Sequence, residues 1–177
     1  SLTCFEVRLH IFLRRCRILD YVVDICRLSH SFYEAYPPDR YPEIMHKYGR
    51  PYTCLLIEAC DDYFICIPFR SSVQHDDAFI FENTRRSMHT RSGLDYKKAV
   101  LIKNLRYIDT VGPVIIDDDE YTVMMNNIRN IANKIDKYIK TYVNHISGIK
   151  KLHQREFLRH YRFSTLPYFH DILGIIK

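Results

Sequence analysis

The sequence predicts an α+β protein in which antiparallel strands in the middle of the chain are flanked by helices. Two β-branched and aromatic runs, residues 52–59 and 63–69, are separated by three residues, a spacing typical of a β-hairpin. Apolar residues between 123 and 146 recur instead at helical spacing. With 177 residues, of which 47% are hydrophobic and 27% charged, the chain has the composition of a globular domain rather than a disordered one.

Further elements are predicted on both sides of the hairpin. The spacing of apolar residues from Ile18 to Leu28 predicts a helix over residues 17–35, which ends before Pro37-Pro38. A short apolar run lies at 78–81, the run 99–102 between Lys97 and Lys103 predicts a central strand, and further short strands are predicted at 107–108 and 114–116. The acidic run 117–120 predicts the start of a long helix that extends to Gly148, and a basic helix is predicted over residues 150–162.

We divide the chain into a basic amphipathic extension, residues 1–26, and a single domain, residues 27–177. No apolar stretch reaches 18 residues, and the apolar run between 9 and 26 carries five charges, so we expect neither a membrane span nor a secretory signal. None of the six cysteines forms a Cys-x-x-Cys pair, which favours reduced thiols in a core. The expected location is the cytoplasm.

Lys and Arg outnumber Asp and Glu by 26 to 21, which favours an anionic partner. The cations concentrate in two runs, and between residues 85 and 106 Asp95 is the only acid. Dense cations bind phosphates, and neighbouring Tyr and Phe could stack bases. We therefore predict RNA contacts at Arg85, Arg86, Arg91, Lys97, Lys98, Lys103, Lys150, Lys151 and Arg155. The alternative for either run is a solvated face.

Candidate catalytic residues gather at one end of the predicted hairpin. Arg50 precedes its first strand and Arg70 closes its second, and antiparallel pairing places these positions at the same end. The full candidate set is Arg50, Tyr52, Arg70, Ser71, Ser72 and His75. RNA cleavage needs a base for the 2′-hydroxyl, a cation for the developing charge and an acid for the 5′-oxygen, and His and Arg suit these roles. Turn capping is the alternative for Ser71 and Ser72.

Motifs for metals and cofactors are missing from the sequence. The histidines show neither His-x-x-x-His nor His-Glu-x-x-His spacing, and there is no Gly-rich phosphate loop. A helix start explains the acidic run 117–120 better than a magnesium site. We therefore expect no metal and no cofactor.

Four motifs in a fixed order resemble a known family. They are RPYTCLLIE at 50–58, YFICIPFRSS at 63–72, SGLDYKK at 92–98 and FSTLPYFH at 163–170. In this order they resemble the toxins of type III toxin–antitoxin systems, the ToxN/AbiQ superfamily, and most closely its CptN and TenpN branches. The resemblance covers roughly residues 27–176.

The resemblance implies a strongly twisted antiparallel sheet surrounded by helices, similar to the MazF/Kid toxins, and a metal-independent endoribonuclease that leaves 2′,3′-cyclic phosphate ends. It implies messenger RNA as substrate. The partner would be a small repeated pseudoknot RNA, which inhibits the toxin and which the toxin processes from its precursor. Toxin subunits and RNA repeats would form a closed hetero-oligomer.

The sequence departs from the family pattern at the candidate cations. ToxN-like members carry Lys where Arg50 stands, Thr where Arg70 stands, and Lys at the position of Val73. The catalytic cation is therefore either Arg50 or Arg70, with His75 as candidate acid or base. Two other functions stay open: a non-catalytic RNA-binding protein, and a protein-interaction domain that uses its helices.

Overall fold

An eight-stranded antiparallel sheet forms the centre of the protein, as the fold class predicted from the sequence requires. The computed structural model describes residues 16–18, 21–46, 52–59, 63–109 and 114–175. The strands are β1 (Cys16–Ile18), β2 (Tyr21–Leu28), β3 (Thr53–Glu58), β4 (Phe64–Arg70), β5 (Ala78–Ile80), β6 (Gly93–Asp95), β7 (Val100–Ile102) and β8 (Ile108–Asp109). Their order is β1-β2-β3-β4-β6-β5, while β7 pairs with β4 and β8 pairs with β2.

Five helices surround this sheet within the described ranges. They are α1 (His30–Ala35), α2 (Arg85–Thr90), α3 (Asp118–Asn126), α4 (Ile128–Ile146) and α5 (Gln154–Tyr161). Short 3₁₀ helices are also present at Tyr96–Lys98, Leu105–Tyr107 and Leu166–Phe169. None of the helices in the described part of the chain is long and apolar enough to cross a bilayer.

The predicted hairpin is confirmed as β3 and β4, with Cys54 opposite Pro68 and Glu58 opposite Phe64. Four consecutive residues of β3 and five of β4 are buried, so both faces of this pair are covered. Different parts of β4 pair with different strands on this side: Phe64–Cys66 pair with β7, and Phe69-Arg70 pair with β6. The end of β4 that carries Arg70 is therefore held by β6.

The helix predicted over residues 17–35 is wrong for most of its length. Residues 21–28 form β2, and only His30–Ala35 is helical, with the Ser29 hydroxyl accepting from the Phe32 N–H as an N-cap. β2 pairs with β3 along five positions, including Cys26 opposite Cys54. This non-local ladder outweighs the helical spacing of the apolar residues. It also places the predicted boundary at 26/27 inside a strand of the sheet.

Other predicted elements differ in length or place. The strand predicted at 99–102 is found at Val100–Ile102, but β7 pairs with β4 alone among the described strands, so it is not a central strand. Residues 114–116 are not a strand. The long helix is divided at Asn127, whose side-chain amide donates to the Val123 carbonyl, and the basic helix is shorter than predicted.

The core lies between the sheet and the C-terminal helices. α4 buries Ile128, Ile131, Ile135, Ile139 and Tyr142 along one face, as its helical spacing predicts. Among the described cysteines, Cys26, Cys54 and Cys66 are buried and free. Burial, together with the neighbouring Cys26, raises the pKa of the Cys54 and Cys66 thiols well above the ordinary value. These thiols pack as small apolar groups.

Gly93 permits the close contact between β5 and β6. A Cβ atom at this position would lie 2.3 Å from the Phe79 carbonyl oxygen, far inside van der Waals contact. Ile80 lies opposite Gly93 and Ala78 opposite Asp95 in the pairing. The absence of a side chain at Gly93 therefore sets the position of Asp95, two residues further along β6.

Candidate active site

A cleft of about 400 Å³ opens at the end of the hairpin where β4 finishes. Its walls combine apolar and polar side chains from distant parts of the chain: Met45, Tyr52, Thr53, Phe69, Arg70, Ser71, Arg86, Ile115, Ile116, Asp117 and Glu120. Three of the six predicted catalytic residues, Tyr52, Arg70 and Ser71, thus border one cavity. Arg50 lies outside the described residues.

Asp95 anchors Arg70 from beneath this cleft. Its carboxylate is fully buried, and Oδ2 accepts from Arg70 Nη1 at 2.6 Å. The other oxygen, Oδ1, lies 3.2 Å from His75 Nε2 and accepts from the Lys97 backbone N–H at 3.0 Å. Burial by itself would raise the pKa of the Asp95 carboxyl, but the hydrogen bonds from His75 and Arg70 outweigh it and hold that pKa below its ordinary value.

The pairing of β4 with β6 explains why these groups meet. Arg70 is opposite Gly93, so Asp95 lies two residues away on the neighbouring strand, within reach of a long side chain. Asp95 also ends β6 and caps the following 3₁₀ turn through the Lys97 N–H. The arginine is thus held at one nitrogen, while its side chain remains 37% exposed at the cleft.

Arg86 is a second anchored cation in the wall of the cleft. Glu120, 1% exposed, accepts from Arg86 Nε at 3.0 Å and from Arg86 Nη2 at 2.8 Å. The Ser92 hydroxyl donates to the same carboxylate. A bidentate pair fixes the plane of the guanidinium, so Arg86 presents its remaining N–H groups in a defined direction.

The loop after β4 is tied to the end of α2. Ser72 has a φ of 55°, in the left-handed region, and its N–H donates to the Thr90 carbonyl. The Val73 N–H donates to the Arg91 carbonyl at 3.2 Å, and the Arg91 guanidinium donates back to the Val73 carbonyl. Ser71 is exposed beside the cleft, whereas Ser72 takes the turn position and does not line it. The structure thus separates the two serines by position, Ser71 at the cleft and Ser72 in the turn, and the catalytic role of Ser71 stays a prediction.

His75 contacts the buried side of the site. Its Nε2 faces Asp95, so this nitrogen carries the proton that the carboxylate accepts. Nδ1 is buried and has no hydrogen-bond partner in the part of the chain that the structure describes. His75 does not line the cleft. It is connected to Arg70 through Asp95, since each of the two side chains contacts a different oxygen of that carboxylate.

The first basic run is largely neutralised by acids that are distant in sequence. Arg85 contacts Asp119, Arg86 contacts Glu120, and Lys98 contacts Glu43. Lys97 is buried, and its ammonium lies 3.3 Å from Asp77 and donates to the Arg159 carbonyl at 2.7 Å. Lys103 is exposed. Of the predicted RNA contacts in this run, Arg86 lines the cleft, while Lys97 is enclosed within the protein.

The second basic run has the opposite character. Lys150, Lys151 and Arg155 are exposed, as are Arg159 and Arg162. No ion pair to an acidic side chain is found for these five residues among the described ones. His160 on the same helix differs, because its Nδ1 lies 2.7 Å from Asp77 Oδ1 and joins α5 to β5. The two runs, similar in sequence, are therefore different in the folded protein.

Sequence reasoning did not identify the carboxylates that organise the site. Asp95 and Glu120, which are buried, and Asp77, which is nearly so, each hold cations. One signal was present: a single acid within a long basic stretch is a candidate for an internal partner, and Asp95 is that acid. No comparable signal marks Glu120, which lies 34 positions from Arg86.

Groups of three or more potential metal ligands are not found within the described ranges. No family model, curated protein or solved structure matches the chain.

Proposed function

We propose that the protein is the toxin of a type III toxin–antitoxin system, a sequence-specific endoribonuclease that cleaves RNA in the cleft at the end of β4. The observation that carries the proposal is the pair of arginines, Arg70 and Arg86, each anchored by a buried carboxylate and both bordering one cleft with Ser71 and Tyr52. Arginines anchored in this way stabilise negative charge without reorganising during the reaction.

The proposed reaction is a transesterification within the RNA. The substrate's 2′-hydroxyl attacks the adjacent phosphorus, the new P–O2′ bond forms, and the P–O5′ bond breaks. A base removes the 2′ proton and an acid protonates the departing 5′-oxygen, which leaves a 2′,3′-cyclic phosphate. Arg70 donates to Asp95 through Nη1, so its other N–H groups would be the ones that contact the phosphorane charge. Tyr52 and Ser71, which border the cleft, are the candidates for the proton transfers, while His75, which does not line it, would act on Arg70 through Asp95.

The remaining parts of the proposal come from the family resemblance. The antiparallel sheet with its helices would correspond to the twisted sheet of the MazF/Kid toxins, and residues 27–177 would form the endoribonuclease domain. A small repeated pseudoknot RNA would inhibit the enzyme and would be processed by it, and messenger RNA would be its substrate. Toxin subunits and RNA repeats would assemble into a closed hetero-oligomer.

Cleavage of single-stranded RNA by the purified protein tests this function. Cleavage is expected in excess EDTA, with products that end in a cyclic phosphate. Ser71→Ala and Tyr52→Phe change exposed or half-exposed groups and should slow cleavage by at least about tenfold. Ser147→Ala, an exposed serine at the end of α4, is the matched control. Wild-type rates in both cleft variants would place the chemistry elsewhere, and EDTA inhibition that magnesium reverses would overturn the mechanism.

A non-catalytic RNA-binding protein is the second candidate. It is favoured by the exposed cations of the second basic run, which need no cleft to bind phosphates. Expression without any antitoxin RNA separates the two functions. An endoribonuclease arrests growth unless its cleft is disabled, whereas a binding protein is tolerated at equal abundance.

A further inference from the structure

We infer that the outer face of α5 binds single-stranded RNA, with arginines on the phosphates and Phe163 stacked against a base. The α5 surface is defined as Arg155, Arg159, Arg162 and Phe163. The inference deepens the proposed function by naming where RNA is held, and it rests on that function for the identity of the ligand, though not on cleavage.

The three arginines lie on one side of the helix. Positions 155, 159 and 162 are spaced by four and three residues, which places their side chains over one another on α5. An open concavity of about 430 Å³ is lined by His153, Arg155, Glu156 and Arg159. All of these side chains are exposed, and Glu156 is the only acid among them. The surface therefore keeps the positive charge that the first basic run loses to its internal acids.

Phe163 extends this surface with an exposed aromatic ring. It is 52% exposed, one of few large apolar side chains that the described protein leaves in water. The Arg162 Cζ atom lies 5.0 Å from the ring centroid, so a guanidinium already occupies one side of the ring. An aromatic ring beside arginines is the combination that holds unstacked bases and their phosphates.

Hydrogen bonds hold the backbone around Phe163, which fixes the point from which its side chain extends. Lys98 Nζ donates to the Phe163 carbonyl at 3.0 Å. The next residues, Ser164 and Thr165, are buried, and the Thr165 N–H donates to the Lys97 carbonyl at 2.9 Å. A backbone that is held before binding reduces the conformational entropy lost when the ring stacks on a base.

A membrane surface fits these features less well than RNA. The apolar side of α5 is already used inside the protein, because Phe157 and Tyr161 pack against Tyr142 of α4. Leu158, 46% exposed, is the one apolar side chain that α5 itself leaves in water, which is too little to insert the helix among lipids. Duplex RNA fits less well too, since its bases are stacked on one another and cannot stack on Phe163.

Contacts connect the α5 surface to the cleft. The Lys97 ammonium donates to the Arg159 carbonyl, and the Lys97 backbone N–H donates to the Asp95 carboxylate. The same carboxylate holds Arg70. The spacing between the RNA-holding surface and the proposed cleavage site is thus set by the fold rather than by a flexible linker.

The test is fluorescence anisotropy with a labelled twelve-nucleotide RNA of mixed sequence whose sugars are 2′-O-methylated. This probe lacks the attacking hydroxyl, so binding is measured without cleavage. Phe163→Ala should weaken binding by about fivefold to a hundredfold, the range for loss of one base stack. Phe163→Tyr should bind like wild type. Met88→Ala, which removes another exposed apolar side chain, is the matched control and should bind normally.

Salt dependence supplies a second readout. Arg155→Ala combined with Arg159→Ala should reduce the slope of log affinity against log salt by up to about 1.4, since single strands contribute about 0.7 per phosphate neutralised. Phe163→Ala should leave the slope unchanged. Arg129→Ala, an exposed arginine on α4, is the control for general charge.

Either wild-type affinity in Phe163→Ala or an unchanged slope in the double arginine variant would overturn the inference. So would equal binding of a duplex with the same sequence, or binding only to phosphatidylserine vesicles. Failure of the proposed function looks different: the methylated probe then binds through the α5 surface, while unmodified RNA is never cleaved. If instead cleavage depends on the cleft residues and Phe163→Ala binds normally, only the inference fails.

Discussion

Asp95 Oδ2 lies 2.6 Å from Arg70 Nη1, and the exposures of the two side chains are very different, 0% and 37%. The buried partner fixes the position of the guanidinium, while the exposed one faces the cleft. Because Arg70 and Asp95 are on adjacent strands, the geometry of the sheet sets their relationship. Any change to Asp95 therefore affects both the stability of the fold and the orientation of the cleft's first cation.

Asp95→Asn should lower the free energy of unfolding by about 3 kcal/mol at neutral pH, because it removes the charge of the buried carboxylate that pairs with Arg70. Urea unfolding followed by circular dichroism measures this loss. Asp39→Asn, at an exposed turn position, is the control and should change stability by less than about 0.5 kcal/mol. Equal stability of the two variants would show that the Asp95 contacts contribute nothing net.

The stability that Asp95 supplies should disappear in acid. Its pKa is lower in the folded protein than in the unfolded chain, where an aspartate titrates near about 3.9. The contribution is therefore complete above the unfolded value and is lost as pH falls through the folded one. Urea midpoints between pH 7 and pH 2.5 should converge for wild type and Asp95→Asn, and a constant difference would contradict this.

Arg85 and Arg86 are adjacent on α2 and should behave differently on replacement. Arg86→Ala leaves Glu120 buried without its bidentate partner, so a loss of about 3 kcal/mol is expected. The Arg85 side chain is 80% exposed, and its contact with Asp119 is 3.7 Å long, so Arg85→Ala should cost less than about 0.5 kcal/mol. Urea unfolding of the two single variants provides the comparison. A similarly small loss of stability in both variants would mean that another group replaces Arg86 as the partner of Glu120.

Gly93→Ala should destabilise the protein by about 1–3 kcal/mol, because the new Cβ would be forced against the Phe79 carbonyl and would separate β5 from β6. Thermal unfolding and hydrogen exchange at β5 and β6 report the change. Gly148→Ala is a useful comparison, since that glycine has a φ of 74° with open space around it. Its cost should be only the left-handed strain, about 1 kcal/mol. Faster exchange confined to β5 and β6 should distinguish Gly93→Ala.

The hairpin shows how far sequence patterns could predict the candidate site. Antiparallel pairing across a short loop requires the start of β3 and the end of β4 to be neighbours, which brings Tyr52, Arg70 and Ser71 to one cleft. The pairing is local, so it can be read from residues 52–70. The same reasoning could not find Glu120, whose distance from Arg86 in the fold depends on how α2 packs against α3.

β2 shows where local patterns mislead. Its apolar residues fit a helix by spacing, yet they form a strand because β3 supplies a partner 30 residues further along the chain. Hydrogen bonds between distant strands are not encoded in any window of sequence.

By itself, the sequence determined the α+β class, the hairpin, the apolar face of α4 and the total charge of the chain. Only the tertiary structure decided which cations remain available to a ligand. Buried carboxylates hold Arg70 and Arg86 at the cleft, Lys97 and Lys98 pair with acids distant in sequence, and the arginines of α5 stay exposed. The reason is physical: a buried charge must find a counter-charge wherever packing places one, and a surface charge needs none because water solvates it.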